Sequence, residues 1–215
     1  MLGANARPRV AKIVAPVVRG LARAGVTPDA VTVTGTLAAV LGSVLLIATG
    51  HLFWGAFVVT LSVLLDMLDG ALARARGGGS LFGAVLDSTC DRAADAAIFG
   101  ALAWWYSGGG HNRVLVALAL VCLVLGVLTS YIKARAEGVG LSCDVGVVER
   151  TERLILVLVG TGFSGLGIPY AIDVALWLLL VGSAVTVGQR LVAVHRQAGG
   201  RPVPTAPAPP GPPTP

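Results

Sequence analysis

Charge is what this sequence lacks most. Asp, Glu, Lys and Arg together make up 13% of its 215 residues, about half of what soluble globular domains carry. Cysteine is scarce too: Cys90, Cys122 and Cys143 are scattered without the spacing of a metal site or a disulfide framework. They read as small buried hydrophobes. Lysine is represented only by Lys12 and Lys133, which is compatible with a GC-rich genome. No internal repeat is visible. No cleavable signal peptide is visible either, because the basic N-terminus is followed only near Ala30 by an apolar run long enough to span.

What is there is apolar. Hydrophobic residues make up 55% of the chain and the mean hydropathy is +0.81. A soluble protein this short must turn much of its surface to water and could not bury so much, so the predicted solvent is lipid. The net charge is +5 and the isoelectric point about 9.6. That balance suggests nucleic acid until the arginines are located: they flank long apolar runs and form no stripe, which is the membrane pattern.

A span needs about 20 apolar residues. Six runs qualify, at about 30–50, 52–75, 81–106, 112–136, 152–168 and 170–194. Each is predicted helical, because an isolated segment in lipid must satisfy its own backbone. All but Arg92 and Arg113 of the 16 basic residues fall at the N-terminus, in the second and fourth connections or the run ends beside them, or at and beyond the end of the sixth run. The positive-inside rule then puts both termini in the cytoplasm. Residues 8–24 alternate basic and aliphatic side chains at helical spacing and predict an amphipathic helix at the cytoplasmic interface. Pro16 is placed to kink it. The expected fold is all-α and integral to the membrane, one domain over residues 1–200, followed by a disordered Pro-rich tail at 201–215.

The stretch that carries chemistry is DMLDGALARARGGGSLFGAVLDSTCD, residues 66–91. Asp66 and Asp69 are three apart, Asp87 and Asp91 four apart, so each pair shares one helix face. The short RGGGS connection predicts antiparallel helices whose two pairs meet at the cytoplasmic end. One Asp at the centre of a membrane helix costs about 2.5–3.5 kcal/mol, and Arg74 and Arg92 are too few to neutralise four. One or two divalent cations could. An all-oxygen ligand set without His or Cys suits Mg²⁺, with Mn²⁺ as a substitute, over zinc.

The pattern D-x-x-D-G-x-x-A-R-x8-G-x3-D-x3-D is met by Asp66, Asp69, Gly70, Ala73, Arg74, Gly83, Asp87 and Asp91. It resembles the signature of the CDP-alcohol phosphotransferase family, and the six spans and N-terminal helix extend the resemblance along the chain. The resemblance implies a homodimer that transfers a phosphatidyl group from CDP-diacylglycerol to an alcohol, releasing CMP. Asp66, Asp69 and Asp87 would ligate one Mg²⁺, Asp66, Asp87 and Asp91 a second, and Asp91 would also be the general base. Gly70, Ala73 and Arg74 would face the CDP-lipid, with Ser80 at the end of the glycine loop and Asp29 and Thr32 of the TPDAVT turn. Asp95 extends the Asp87–Asp91 face and receives a supporting role.

Lys133, Arg153 and Arg190 lie on three different helices and are predicted to converge into a cationic pocket for an acceptor that carries phosphate. The segments FGAVLDSTCDR, SYIKARAE and ER-x-ERL resemble the actinobacterial phosphatidylinositol phosphate synthases within the family, although Ser80 and Thr151 stand where Thr and Pro are expected. The implied acceptor is inositol phosphate. Glycerol 3-phosphate would also want a cationic pocket. A divalent-cation carrier is the rival from another class, but it would want its site near the midplane.

Overall fold

The computed structural model describes residues 6–75 and 78–200, with side chains from Ala15 onward apart from that of Met67. The tail at 201–215 and Arg76 lie outside the described residues. Among the described residues every regular element is helical: α1 (Ala6–Arg23), α2 (Pro28–Gly42), α3 (Leu52–Ala75), α4 (Leu81–Ser107), α5 (Arg113–Gly138), α6 (Arg150–Gly165) and α7 (Ala171–Ala198). A π-helical turn, Ser43–Ile47, carries α2 onward to the far side.

The helix starts follow from local chemistry. Thr27 caps α2 by accepting from Ala30 N–H, with Pro28 at the first helical position. Ser80 caps α4 and Asn112 caps α5 in the same way. Glu149 and Glu152 form a reciprocal capping box that opens α6. Pro16 sits inside α1 without ending it.

Among the described residues, four helices are long and apolar enough to cross a membrane: α2 with its π turn, α3, α5 and α7. The other two expected spans differ for identifiable reasons. Helix α6 has 16 residues, about 24 Å against a hydrocarbon core of about 30 Å. Helix α4 is long, but its stretch from Leu81 to Asp95 carries Asp87, Asp91, Arg92 and Asp95.

The six helices α2–α7 pack as a closed ring in the order α2, α4, α5, α7, α6, α3 and back to α2, with α1 laid against α3. Sequence neighbours α3 and α4 are therefore not a packed pair; α2 sits between them and holds both. Phe99, Leu102, Cys122, Val157, Leu176 and Leu179 fill the interior. Outward-facing Leu37, Leu45, Val124, Leu178 and Val181 are exposed, as the surface of a membrane-embedded ring should be. Gly165 lets α6 cross α3 closely, since a Cβ there would fall 2.2 Å from Phe53 N. The four tryptophans, Trp54, Trp104, Trp105 and Trp177, lie toward the helix ends remote from the aspartates.

Candidate metal centre and anion pocket

Helix α3 presents Asp66 and Asp69 one turn apart, and the second turn of α4 presents Asp87. One carboxylate oxygen from each comes within 4.8 Å of the others. Like charges that close repel by roughly 3–4 kcal/mol per pair at an effective dielectric near 20. Among the described residues only one ion pair reaches this triplet, from Arg150 Nη1 to Asp66 at 3.9 Å. Side chains alone leave the cluster under-neutralised, so the donor set fits a hard divalent cation. Helix α2 supports the cluster: the Thr32 hydroxyl donates to Asp69 at 2.5 Å, and Gly70 N–H donates to the other Asp69 oxygen. Gly35 keeps α2 close to the backbone of Asp66.

Asp91 stands outside the triplet. Arg150 Nη2 reaches one of its oxygens at 2.7 Å, and Arg92 Nη2 lies 3.8 Å from the other. Arg150 also approaches Asp95, at 3.7 Å. A single guanidinium thus touches Asp66, Asp91 and Asp95, bridging the carboxylates of α3 and α4.

Beyond Asp91 the ring opens into a cavity of about 530 Å³. Its lining includes Arg92 from α4, Lys133 from α5, Arg150 and Arg153 from α6, and Arg190 from α7. Lys133, Arg153 and Arg190 therefore converge, and each is held differently. Lys133 donates to Asp144 of the α5–α6 connection at 2.5 Å and lies 3.8 Å from Glu137. The Lys133 ammonium holds the Asp144 carboxyl below the usual carboxylate range. Arg190 donates to the carbonyls of Thr129 and Val145, at 2.5 and 2.9 Å. Arg153 is buried and pairs with Asp95 at 2.5 Å. Five cations against Asp91, Glu137 and Glu149 leave the lining with a positive excess, which favours an anion.

The other predicted residues lie on α2, on α3 and at the start of α4. Asp29 Oδ1 and Ser80 Oγ lie 3.1 and 3.0 Å from where a Cβ on Gly83 would stand, so this glycine lets the starts of α2 and α4 meet. Ser80 accepts from Gly83 N–H at 2.8 Å, which leaves its own hydroxyl proton free to donate. Gly70, Ala73 and Arg74 follow one another along α3. Arg74 is exposed, and its Nη1 lies 3.5 Å from the Cβ position of Gly70. Nothing closer crowds Gly70, so the backbone there is open to a ligand.

The family model described as CDP-alcohol phosphatidyltransferase matches residues 25–188. The chain belongs to the CDP-alcohol phosphatidyltransferase family. It is 51% identical to the phosphatidylinositol phosphate synthase of Mycobacteroides abscessus over 93% of this chain and 91% of that one. It is 48% identical to the synthase of the same name from Corynebacterium glutamicum, over 97% and 95%. The crystal structure of the Mycobacterium tuberculosis phosphatidylinositol phosphate synthase with CDP-DAG bound superposes with a TM-score of 0.82 at 53% identity, covering 85% of this chain and 94% of that one. A second structure of that enzyme, in complex with manganese and citrate, gives 0.82 at 52% identity over 85% and 88%.

The phosphatidyltransferase signature accounts for the aspartates, but Arg150 and Arg92 escaped the sequence reading as site residues. Arg150 was absorbed by the positive-inside rule, although it lies three residues before Arg153 on the same helix face, a spacing that would have found it. The signal for Arg92 was an arginine within an apolar span, which is costly without a function. It donates to Ser130 at 2.5 Å and pairs with Asp95 at 3.4 Å.

Proposed function

We propose that this phosphatidyltransferase moves the phosphatidyl group of CDP-diacylglycerol onto an inositol phosphate, giving phosphatidylinositol phosphate and CMP. The observation that carries the reading is the adjacency of two unlike sites: a carboxylate triplet on α3 and α4, and a cationic cavity directly beyond Asp91. The first suits a metal-bound diphosphate and the second suits an acceptor that brings its own phosphate. Relatives about half identical in sequence bear the name of that synthase.

Asp66, Asp69 and Asp87 would hold one Mg²⁺, and Asp66, Asp87 and Asp91 a second, with Mn²⁺ able to substitute. When bound, the ions supply positive charge against the diphosphate and the departing CMP. The chain's own residues do the rest. Arg74 pairs with the diphosphate while Gly70 and Ala73 leave room for the nucleotide, and Asp29, Thr32 and Ser80 border it. Lys133, Arg153 and Arg190 hold the acceptor's phosphate. Asp91 sits between the two sites and takes the proton of the attacking hydroxyl. The acceptor oxygen forms its bond to the phosphorus that carries diacylglycerol, and the bond from that phosphorus to CMP breaks.

The same reading places six spans in a bacterial cell membrane with both termini and the site on the cytoplasmic side, α1 in the interface and two chains as a homodimer. The basic residues gathered at the helix ends that carry the aspartates support that orientation. The test is CMP release by the purified chain from CDP-diacylglycerol and Mg²⁺, offered inositol phosphate, free inositol or glycerol 3-phosphate. Release with inositol phosphate that chelation stops is expected. Release with glycerol 3-phosphate alone would move the chain to the neighbouring activity.

A further inference from the structure

Away from the carboxylate triplet, Asp95 is the most unusual side chain in the ring. It lies two turns beyond Asp87 on α4 and is 2% exposed. Three guanidiniums converge on it: Arg153 Nη2 at 2.5 Å, Arg92 Nη1 at 3.4 Å and Arg150 Nε at 3.7 Å. A buried ion pair is poor value as a packing device, because desolvation offsets most of the attraction and apolar side chains would do as well. The surroundings are shaped to hold a guanidinium. Gly126 of α5 forms a slot against it: a Cβ there would lie 3.0 Å from Cζ and Nη1 of Arg153. Arg153 itself is 1% exposed, lines the cavity, and keeps an Nε–H without a hydrogen-bond partner among the described residues. Arg92, the nearest competitor for Asp95, is drawn toward α5 by Ser130.

We propose that Asp95, together with the Gly126 slot, is a positioning residue that fixes the Arg153 guanidinium in one orientation against the cavity, where it meets the phosphate of the acceptor. The inference rests on the reading of that cavity as the acceptor-phosphate site. A long arginine side chain has much rotamer freedom to lose, and a counter-ion behind it removes that cost before the acceptor arrives. Mere neutralisation predicts the reverse: removing the carboxylate would make the cavity more positive and tighten phosphate binding.

The direction of the change therefore decides. Michaelis constants for inositol phosphate and for CDP-diacylglycerol are measured on the full chain for Arg153→Ala, Asp95→Asn, the double variant and Gly126→Ala. The shift in Tm on adding inositol phosphate without CDP-diacylglycerol gives a readout independent of turnover. Asp95→Asn should raise the acceptor constant about tenfold, the scale of one lost charge-assisted hydrogen bond, and shrink the Tm shift. The constant for CDP-diacylglycerol should stay within about twofold. The double variant should be no worse than Arg153→Ala, because the two residues act as one unit. Gly126→Ala, which keeps every charge, should raise the acceptor constant about threefold by displacing the guanidinium a few tenths of an ångström. An acceptor constant that is unchanged or lower in Asp95→Asn, with Arg153→Ala impaired, overturns the positioning role alone. An unchanged constant in Arg153→Ala overturns the reading of the cavity itself. Where Asp95→Asn does not fold, Gly126→Ala decides: an unchanged acceptor constant there overturns the inference.

Discussion

Arg150, in the first turn of α6, and Asp91, in the third turn of α4, are joined at 2.7 Å, and their contact is the seam between the carboxylate cluster and the cationic cavity. Arg150 also reaches Asp66 and Asp95, so one side chain sets the spacing of three carboxylates on two helices. Arg150→Ala should lower kcat about ten- to a hundredfold, the value of a charge-assisted hydrogen bond of about 1.5–3 kcal/mol. Steady-state kinetics with both substrates saturating measures it. An unaltered kcat would make the contact incidental.

Asp91→Asn should abolish turnover and leave binding of CDP-diacylglycerol largely intact. The amide keeps the size of the side chain but cannot accept a proton from the acceptor. Calorimetric titration with the CDP-lipid, paired with a CMP-release assay, separates the two effects. Activity retained across the pH range would remove Asp91 from the reaction.

Metal affinity is expected to depend on Asp66 and, one step removed, on Thr32. Asp66→Asn should weaken Mn²⁺ binding most, because Asp66 is assigned to both ions. Thr32→Val removes the hydroxyl that orients Asp69, and loss of such a supporting bond costs about tenfold in metal affinity. Mn²⁺ titration followed by electron paramagnetic resonance reads both variants, and chelation should silence the wild type. Equal affinity in Asp66→Asn and wild type would dissolve the two-ion assignment.

The two sides of the site should separate kinetically. Arg74→Ala should raise the Michaelis constant for CDP-diacylglycerol more than that for the acceptor. Lys133→Ala and Arg190→Ala should do the opposite, by about ten- to a hundredfold for the acceptor, and should be less than additive because both act on one phosphate. A crossed result, with Arg74 governing the acceptor, would invert the assignment of the two sites.

The spacing of Asp66, Asp69, Asp87 and Asp91 made the cluster legible because helical periodicity and an apolar background leave carboxylates nowhere to hide. The starts of α3 and α4 were legible from the apolar runs, which begin at 52 and 81, whereas α6 begins at Arg150, behind the Glu149–Glu152 capping box, and not at 152. Two things were not. A short connection says that α3 and α4 run antiparallel, but not that α2 packs against both of them, because ring closure is decided by which apolar faces fit and not by loop length. The pairing of Asp91 with Arg150 joins residues 59 positions apart in sequence, on helices whose relative placement no local pattern encodes. Lys133, Arg153 and Arg190 were legible as a set, but their separate anchors on Asp144, on Asp95 and on the Thr129 and Val145 carbonyls were not.

The central claim is that this site hands a phosphatidyl group to a phosphorylated inositol. The most direct measurement presents the purified chain with CDP-diacylglycerol, Mg²⁺ and an equimolar mixture of inositol phosphate, free inositol and glycerol 3-phosphate, and identifies the lipid formed by mass spectrometry. The account predicts phosphatidylinositol phosphate as the dominant product, with its share reduced in Arg153→Ala. Phosphatidylinositol or phosphatidylglycerophosphate as the main product would contradict it.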